Sequence, residues 1–280
     1  MSQTCLVTGG AGFVGRQILR ALAERDIRLR LVLREGQPPP DVPVERIIRT
    51  PDLFAESAAW WRDACVAVDI IVHAAWYAKP GRYLEAAENL ACLSGTLALA
   101  QGAADAGVGR FVGLGTCFEY DLAGVAPADV APLAVDAPLR PRTLYAATKA
   151  ASYLALQAFF AGQPAGFAWC RLFYLYGEGE DERRFVPYLR RCLADGVPAD
   201  LTEGSQVRDY LDVRDAGAQI AEAALSDRQG ALNICSGVPV SLRALAERLA
   251  DAQGRRDLLR FGARPTPPHD PPYVVGIPSF

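Results

Sequence analysis

The chain reads as an α/β protein, a doubly wound parallel sheet carrying a small C-terminal lobe. Three observations predict this. Strand-like apolar runs alternate with helical patterns through the first two thirds, the order that gives parallel strands with helices on both faces. The fourth run, Val68-Asp69-Ile70-Ile71-Val72, is apolar almost throughout, as a strand covered on both sides must be. A glycine-rich turn, Gly9-Gly10-Ala11-Gly12-Phe13-Val14-Gly15, joins the first strand to the first helix. At 280 residues the chain can bury one large core with a small appendage.

The elements follow in order. Gln3–Thr8 is a strand centred on Cys5-Leu6-Val7, and Phe13, Val14, Ile18, Leu19 and Leu22 recur at helical spacing over Gly12–Glu24. Ile27–Leu33, Val44–Ile48, Ile70–His73, Arg110–Leu114 and Ala168–Phe173 are the further strands. Between them Asp52–Ala64, Tyr83–Ala106 and Thr143–Phe160 read as helices, while Pro38-Pro39-Pro40 is a surface connector. After Phe173 the pattern breaks: Glu178–Arg184 is a charged loop, Phe185–Ala194, Val213–Leu225 and Leu242–Ala252 are short helices, and Ala231–Cys235 separates the last two. Five prolines within residues 265–272 predict an extended tail. Residues 1–172, with 206–236 returning to them, are expected to form a dinucleotide-binding domain. Residues 173–205 and 237–280 are expected to form a substrate-binding lobe over the carboxyl ends of the strands, where open α/β sheets bind ligands.

Bulk properties narrow the class. Twenty-nine basic residues stand against 32 acidic ones, net charge −3, with no basic run to meet nucleic acid. No apolar stretch reaches the ~18 residues of a membrane span, and residues 1–8 read directly as a strand rather than a signal, so a cytoplasmic protein is expected. Seven cysteines form no Cys-x-x-Cys pair and sit among apolar residues, where a free thiol behaves as a small hydrophobe. With only His73 and His269 to join them, no metal site is expected.

Glycines at the opening turn let backbone amides approach a pyrophosphate, and the helix behind them aims its positive end there. Gly9, Gly12, Phe13, Val14 and Gly15 are therefore candidate dinucleotide ligands. Tyr145 and Lys149, four apart, lie on one helical face. An ammonium beside a phenol favours the phenolate and so eases proton exchange with a carbonyl oxygen. Thr116, 29 residues before Tyr145 at the end of the fifth strand, can bond the same oxygen, although a turn-capping threonine reads the same way.

Taken together these segments resemble the extended short-chain dehydrogenase/reductases, nucleotide-sugar branch. The resemblance rests on Gly9-x-x-Gly12-x-x-Gly15, His73-Ala74-Ala75, Thr116, Tyr145-x-x-x-Lys149, Arg171-Leu172-Phe173-Tyr174-Leu175-Tyr176-Gly177 and Gly204–Val213, and covers roughly residues 3–237. It implies a Rossmann-type sheet, Thr116, Tyr145 and Lys149 as the catalytic set, and Ala74, Ala75, Asp52, Leu53 and Phe173 as further cofactor neighbours. It also implies a homodimer through the Tyr83–Ala106 and Thr143–Phe160 helices. Trp76, Cys117, Phe118, Tyr174, Val186 and Arg208 are the expected substrate contacts besides Thr116 and Tyr145. Trp76 reads equally as packing between lobes, and Arg208 either meets a diphosphate or pairs with Asp209 or Asp212. His73 reads as a structural neighbour of the cofactor rather than a base.

Departures from the family pattern point to one activity. Dehydratases of the branch carry an Asp-Glu pair after the threonine; here Cys117 and Phe118 stand there, so dehydration is not expected. Tyr174 and Cys92 replace asparagines of many members. At the end of the second strand, where a carboxylate selects NAD(H), Arg34 can meet a 2′-phosphate and favours NADP(H) over NAD(H), although a shift of one residue would bring in Glu35. The expected activity is NADPH-dependent reduction of the C4 ketone of a nucleoside-diphosphate 4-keto-6-deoxyhexose, with dTDP the expected nucleotide. An NAD-dependent 4-epimerase is the nearest alternative, and a non-catalytic NADP sensor the alternative of another class.

Overall fold

The computed structural model describes residues 2–122, 131–267 and 270–280. Seven parallel strands form the central sheet: β1 (Gln3–Thr8), β2 (Ile27–Arg34), β3 (Arg46–Thr50), β4 (Ile70–His73), β5 (Arg110–Thr116), β6 (Gly166–Leu172) and β10 (Gly230–Ile234), in the order β10-β6-β5-β4-β1-β2-β3. The order reverses at β1, which pairs with β2 on one side and β4 on the other, so a crevice opens at their carboxyl ends.

Alternation along each strand divides the core. Cys5, Val7, Leu29, Leu31, Ile70, Val72, Val112 and Cys170 face α1 (Phe13–Ala23) and α6 (Val213–Leu225). Leu6, Val32, Ile71, Phe111, Phe167 and Trp169 face α2 (Ala58–Ala64), α3 (Glu88–Asp105) and α4 (Leu144–Ala161). This two-sided burial is what the unbroken apolar runs require.

The remaining elements form the lobe. Strand β9 (Val207–Asp212) pairs with β7 (Tyr174–Tyr176) and β13 (Tyr273–Val274) in parallel and with β11 (Pro239–Ser241) in antiparallel fashion. Helices α5 (Phe185–Asp195) and α7 (Leu242–Asp251), with the two-residue strands β8 (Ala199–Asp200) and β12 (Leu259–Arg260), enclose a core of Leu189, Leu193, Leu201, Ala246 and Leu258. The tail is extended as expected, but Tyr273–Val274 joins the small sheet as β13, and Val274 and Val275 are buried.

Several boundaries shift for local reasons. The helix expected from Asp52 starts at Ala58, because the Asp52 carboxylate accepts from the Phe54 N–H and closes a turn, and Ser57 caps the helix by accepting from Trp60 N–H. The helix expected from Tyr83 starts at Glu88, since Asn89 turns its amide back onto the carbonyls of Tyr83 and Ala86. Strand β5 runs two residues past the expected Leu114, which makes Thr116 its last residue.

Trp61, fully buried between α2 and the sheet, has an indole N–H without a hydrogen-bond partner among the described residues. Trp61→Ala should therefore cost about 3–5 kcal/mol in urea unfolding. Trp61→Phe, which removes the orphaned donor along with ring volume, should cost about 1 kcal/mol or less.

Candidate active site

One cleft of about 900 Å³ runs from the glycine turn to the small sheet. At one end Gly9, Gly12, Phe13, Val14 and Gly15 line it. Gly9 takes φ +72°, and a Cβ there would meet Ala75 N at 2.5 Å. A Cβ on Gly15 would run into the Gly9 carbonyl. Gly12 is the N-cap of α1 and bears no side chain to satisfy the first-turn amides, which face the cleft beside it. A backbone this close, with open N–H groups and a positive helix end, fits the pyrophosphate of a dinucleotide.

Further along, Arg34, Glu35 and Gln37 line the cleft at the end of β2, and Leu53, Ala74, Ala75 and Phe173 line its middle. Arg49 donates to the main-chain oxygens of Arg34 and Gln37 and so braces this turn. The exposed Arg34 guanidinium forms no ion pair among the described residues.

His73 ends β4 but does not enter the cleft. Its Nδ1 lies 2.8 Å from Thr8 Oγ1 and its Nε2 2.9 Å from Thr96 Oγ1. Because Thr96 already donates to the Cys92 carbonyl, Nε2 carries the ring proton and Nδ1 accepts from Thr8. Burial, with Lys149 nearby, pushes the ring down to about 3, so it stays neutral. His269 lies outside the described residues.

The reacting end gathers side chains from four elements. Thr143 caps α4, and one turn in, Tyr145 and Lys149 face β5. Tyr145 is hydrogen-bonded to Thr116 and meets the Tyr83 ring edge-on at 4.8 Å. Lys149, 4% exposed, donates to the Leu114 carbonyl at 2.5 Å and lies 3.7 Å from the centre of the Trp76 ring. Trp76 is itself fixed, its N–H donating to Asn89 Oδ1 at 2.8 Å. Cys117, Phe118 and Tyr174 continue the wall, with Phe118 edge-on to Tyr174. Burial pushes the Cys117 thiol up to about 12, which leaves it neutral.

The electrostatics differ from the expected arrangement. Lys149 does not draw the phenol down here: burial and the neighbouring Tyr83 hold Tyr145 above the ordinary phenol range, against the bond from Thr116. Burial instead lowers Lys149 itself, to about 7, opposed by Glu119 and Cys92. Tyr145 therefore keeps its proton at neutral pH.

Three expected ligands do not line the cleft. Arg208 is buried, bonded to Asp270 at 2.6 Å and to the Val207 carbonyl, with its guanidinium 5.2 Å from the Tyr174 ring centre. Its ion-pair partner is Asp270 rather than Asp209 or Asp212. Val186 lies on the buried face of α5, and the Asp52 carboxylate is spent on its own turn, leaving Leu53 at the cleft. In their place the structure adds Tyr83, Asp181 and Arg184. Arg184 stands where the charged loop meets α5, and its guanidinium bonds the Tyr83 hydroxyl. The one sequence signal for Arg184 is its place in a run of acidic and basic residues, and the helical pattern over Tyr83–Ala106 masks Tyr83.

Residues 5–235 match the NAD dependent epimerase/dehydratase family, and the chain belongs to it. A relative named dTDP-6-deoxy-L-talose 4-dehydrogenase (NAD(+)), from Aggregatibacter actinomycetemcomitans, is 23% identical over 279 residues, covering 97% of this chain and 98% of the relative. The structure of MoeE5 in complex with UDP-glucuronic acid and NAD superposes with a TM-score of 0.81 at 26% identity, covering 99% of this chain and 90% of that one. DesIV, a dTDP-glucose 4,6-dehydratase from Streptomyces venezuelae, shares the fold with a TM-score of 0.82 at 24% identity, covering 98% and 88%. Among the described residues no helix is long and apolar enough to cross a membrane.

The neutral His73 is open to measurement. Of the two histidines, the His73 ring signals should stay fixed in NMR between about pH 5 and 8. The unfolded chain takes up a proton near pH 6.5 that the folded ring refuses until about 3, so stability should fall as pH drops through that window. A His73 signal that titrates near pH 6.5 would contradict the Thr8–His73–Thr96 arrangement.

Proposed function

We propose that this member of the NAD dependent epimerase/dehydratase family reduces the C4 ketone of a nucleoside-diphosphate 4-keto-6-deoxyhexose with NADPH. The observation that carries the reading is the content of the reacting end. Tyr145, paired with Thr116, offers a protonated phenol at the cleft wall, and among the described residues no carboxylate stands free beside it. Glu119 is fully buried and committed to Arg171, Trp169 and the Thr116 N–H. Glu35 lies at the far end after β2, and Asp181 is gripped by Arg183. Elimination of water needs an acid and a base next to the sugar, and Cys117 and Phe118 supply neither.

The glycine turn would hold the pyrophosphate, Arg34 a 2′-phosphate, and Lys149 the nicotinamide ribose. Bound there, the nicotinamide supplies the hydride. Thr116 and Tyr145 then bond the ketone oxygen, and the Tyr145 hydroxyl proton passes to it as the alkoxide forms. A phenol that stays protonated at neutral pH suits this direction, because a donor must start with its proton. Trp76, Tyr83, Phe118 and Tyr174 give flat apolar walls to a sugar lacking its C6 hydroxyl. Arg184, the cation that lines the cleft near them, would meet the diphosphate in place of Arg208. The relative named a 4-dehydrogenase of a dTDP-6-deoxy sugar supports redox chemistry at C4, since oxidation of that alcohol is the reverse of this reduction.

The purified protein should consume NADPH in a one-to-one ratio with an NDP-4-keto-6-deoxyhexose, followed by absorbance loss and mass spectrometry of the product. Interconversion of NDP-hexoses without net coenzyme turnover would instead identify an epimerase. Tyr145→Phe should lower kcat by at least about a thousandfold while leaving dinucleotide affinity within about twofold; undiminished turnover would refute the proton-donor role.

Cofactor choice has its own test. Arg34→Ala should raise KM for NADPH about tenfold or more and leave that for NADH nearly unchanged, as loss of one charge-assisted phosphate contact requires. An equal effect on both coenzymes would remove Arg34 from the 2′-phosphate.

A further inference from the structure

Glu119 is the one fully buried carboxylate that touches the catalytic threonine, and nothing in the proton transfer above uses it. It sits in the short helical turn Cys117–Glu119 that follows β5. Its Oε1 accepts from the Thr116 N–H at 2.8 Å and the Trp169 indole N–H at 3.0 Å, and its Oε2 accepts from Arg171 Nε at 2.8 Å. The Thr116 hydroxyl in turn accepts from the Phe118 N–H, closing a reciprocal cap. Space for the inward carboxylate exists only because residue 115 is glycine: a Cβ there would overlap both Glu119 Oε1 and Trp169 Nε1.

The same carboxylate and Lys149 both lie against Trp169. Lys149 donates to the carbonyl of Leu114, two residues before Thr116 on one strand, and its Nζ lies 5.7 Å from the centre of the Trp169 ring whose N–H Glu119 accepts. Glu119 and Lys149 thus flank Gly115 and share Trp169 between them. A buried ammonium with no anion near it is costly and tends to shed its proton.

We propose that Glu119 is a positioning residue for the reductive reaction: it fixes the Thr116 backbone and holds a negative charge across Trp169 from the Lys149 ammonium. The inference rests on the reductase reading for the roles of Thr116 and Lys149. The charged and titratable groups around Lys149 are Glu119 from the turn after β5, Cys92 from α3 and His73 from β4, of which Glu119 and Cys92 favour the ammonium. Around Tyr145 they are Tyr83, Glu119 and Cys117, all of which favour the protonated phenol. Loss of the Glu119 charge therefore moves both groups the same way: lysine and phenol each give up a proton at lower pH.

The chain itself makes the test direct, because its only lysines are Lys79 and Lys149. Protein labelled at the lysine Cε and Nζ gives two NMR titrations, assigned with K79R. In E119Q, which keeps an acceptor for the Thr116 N–H, the Lys149 midpoint should fall by about one pH unit. The alkaline limb of kcat for ketone reduction should move down with it, and kcat at its optimum should drop about tenfold as Thr116 loosens. If E119Q does not fold because Arg171 is left unpaired, E119Q/R171Q removes both buried charges and should show the same downward shift, smaller in size. A Lys149 midpoint unmoved or raised in the folded variant, or an alkaline limb that stays in place, overturns the proposal. A wild-type protein that reduces no NDP-4-keto sugar overturns the reductase reading instead, and the lysine titration remains readable in that case.

Discussion

An ammonium held almost dry is the constraint around which the reacting end is organised. Lys149 is 4% exposed, and taking such a charge out of water costs several kcal/mol unless partners are fixed around it. The partners come from separate elements: the Leu114 carbonyl from β5, the Trp76 face from the turn after β4, and the Glu119 charge from the turn after β5. Each then makes its own demand. Trp76 must be pinned, which Asn89 does. Glu119 must be neutralised, which Arg171 does at 2.8 Å, and Arg171 is completed by the Tyr120 hydroxyl and the Val135 carbonyl. Tyr120 donates onward to Asn233 of β10. A line of dependent contacts therefore runs from Lys149 through Glu119 and Arg171 to Asn233 on the edge strand of the sheet, and accounts for the burial of these polar side chains.

The lobe is tied down by charges of a different kind. Asp209 on β9 accepts from the N–H groups of Ser236, Gly237 and Gly276 and from the Ser236 hydroxyl, so one carboxylate gathers three segments of chain. Beside it, Arg208 is held by Asp270 of the tail. Both side chains of this neighbouring pair are consumed in holding the small sheet to the tail. Arg184, on the loop that enters α5, lines the cleft instead, and it bonds the hydroxyl of Tyr83, whose ring meets Tyr145 edge-on.

What could be read from the sequence follows from how local each signal is. The strand–helix alternation, the glycine turn and the Tyr145–Lys149 face are set by periodicity and short spacing, whereas the order of the strands and the place of β10 beside β6 come from tertiary pairing. Asp52 was misread because a helix pattern and a capped turn look alike until Ser57 is seen to accept from Trp60. The Arg208 ion pair is not legible because its partner lies 62 residues downstream, in a proline-rich stretch with no periodic signal. Glu119 was passed over although it adjoins Thr116, since nothing in Cys117-Phe118-Glu119-Tyr120 says that the carboxylate turns inward; only the contact with Gly115 and Arg171 does. The division between legible and illegible residues is thus between contacts made within a turn or two and contacts closed by tertiary packing.

The two ends of the cleft are built on different kinds of contact. The turn after β2 is built on main-chain contacts: Glu35 N–H donates to the Thr50 carbonyl, Gln37 N–H to the Arg34 carbonyl, and Arg49 braces two carbonyls at once. None of these uses the Arg34 side chain, so the residue there can change without altering the turn. The reacting end has no such freedom, because Thr116, Glu119, Lys149 and Trp76 constrain one another.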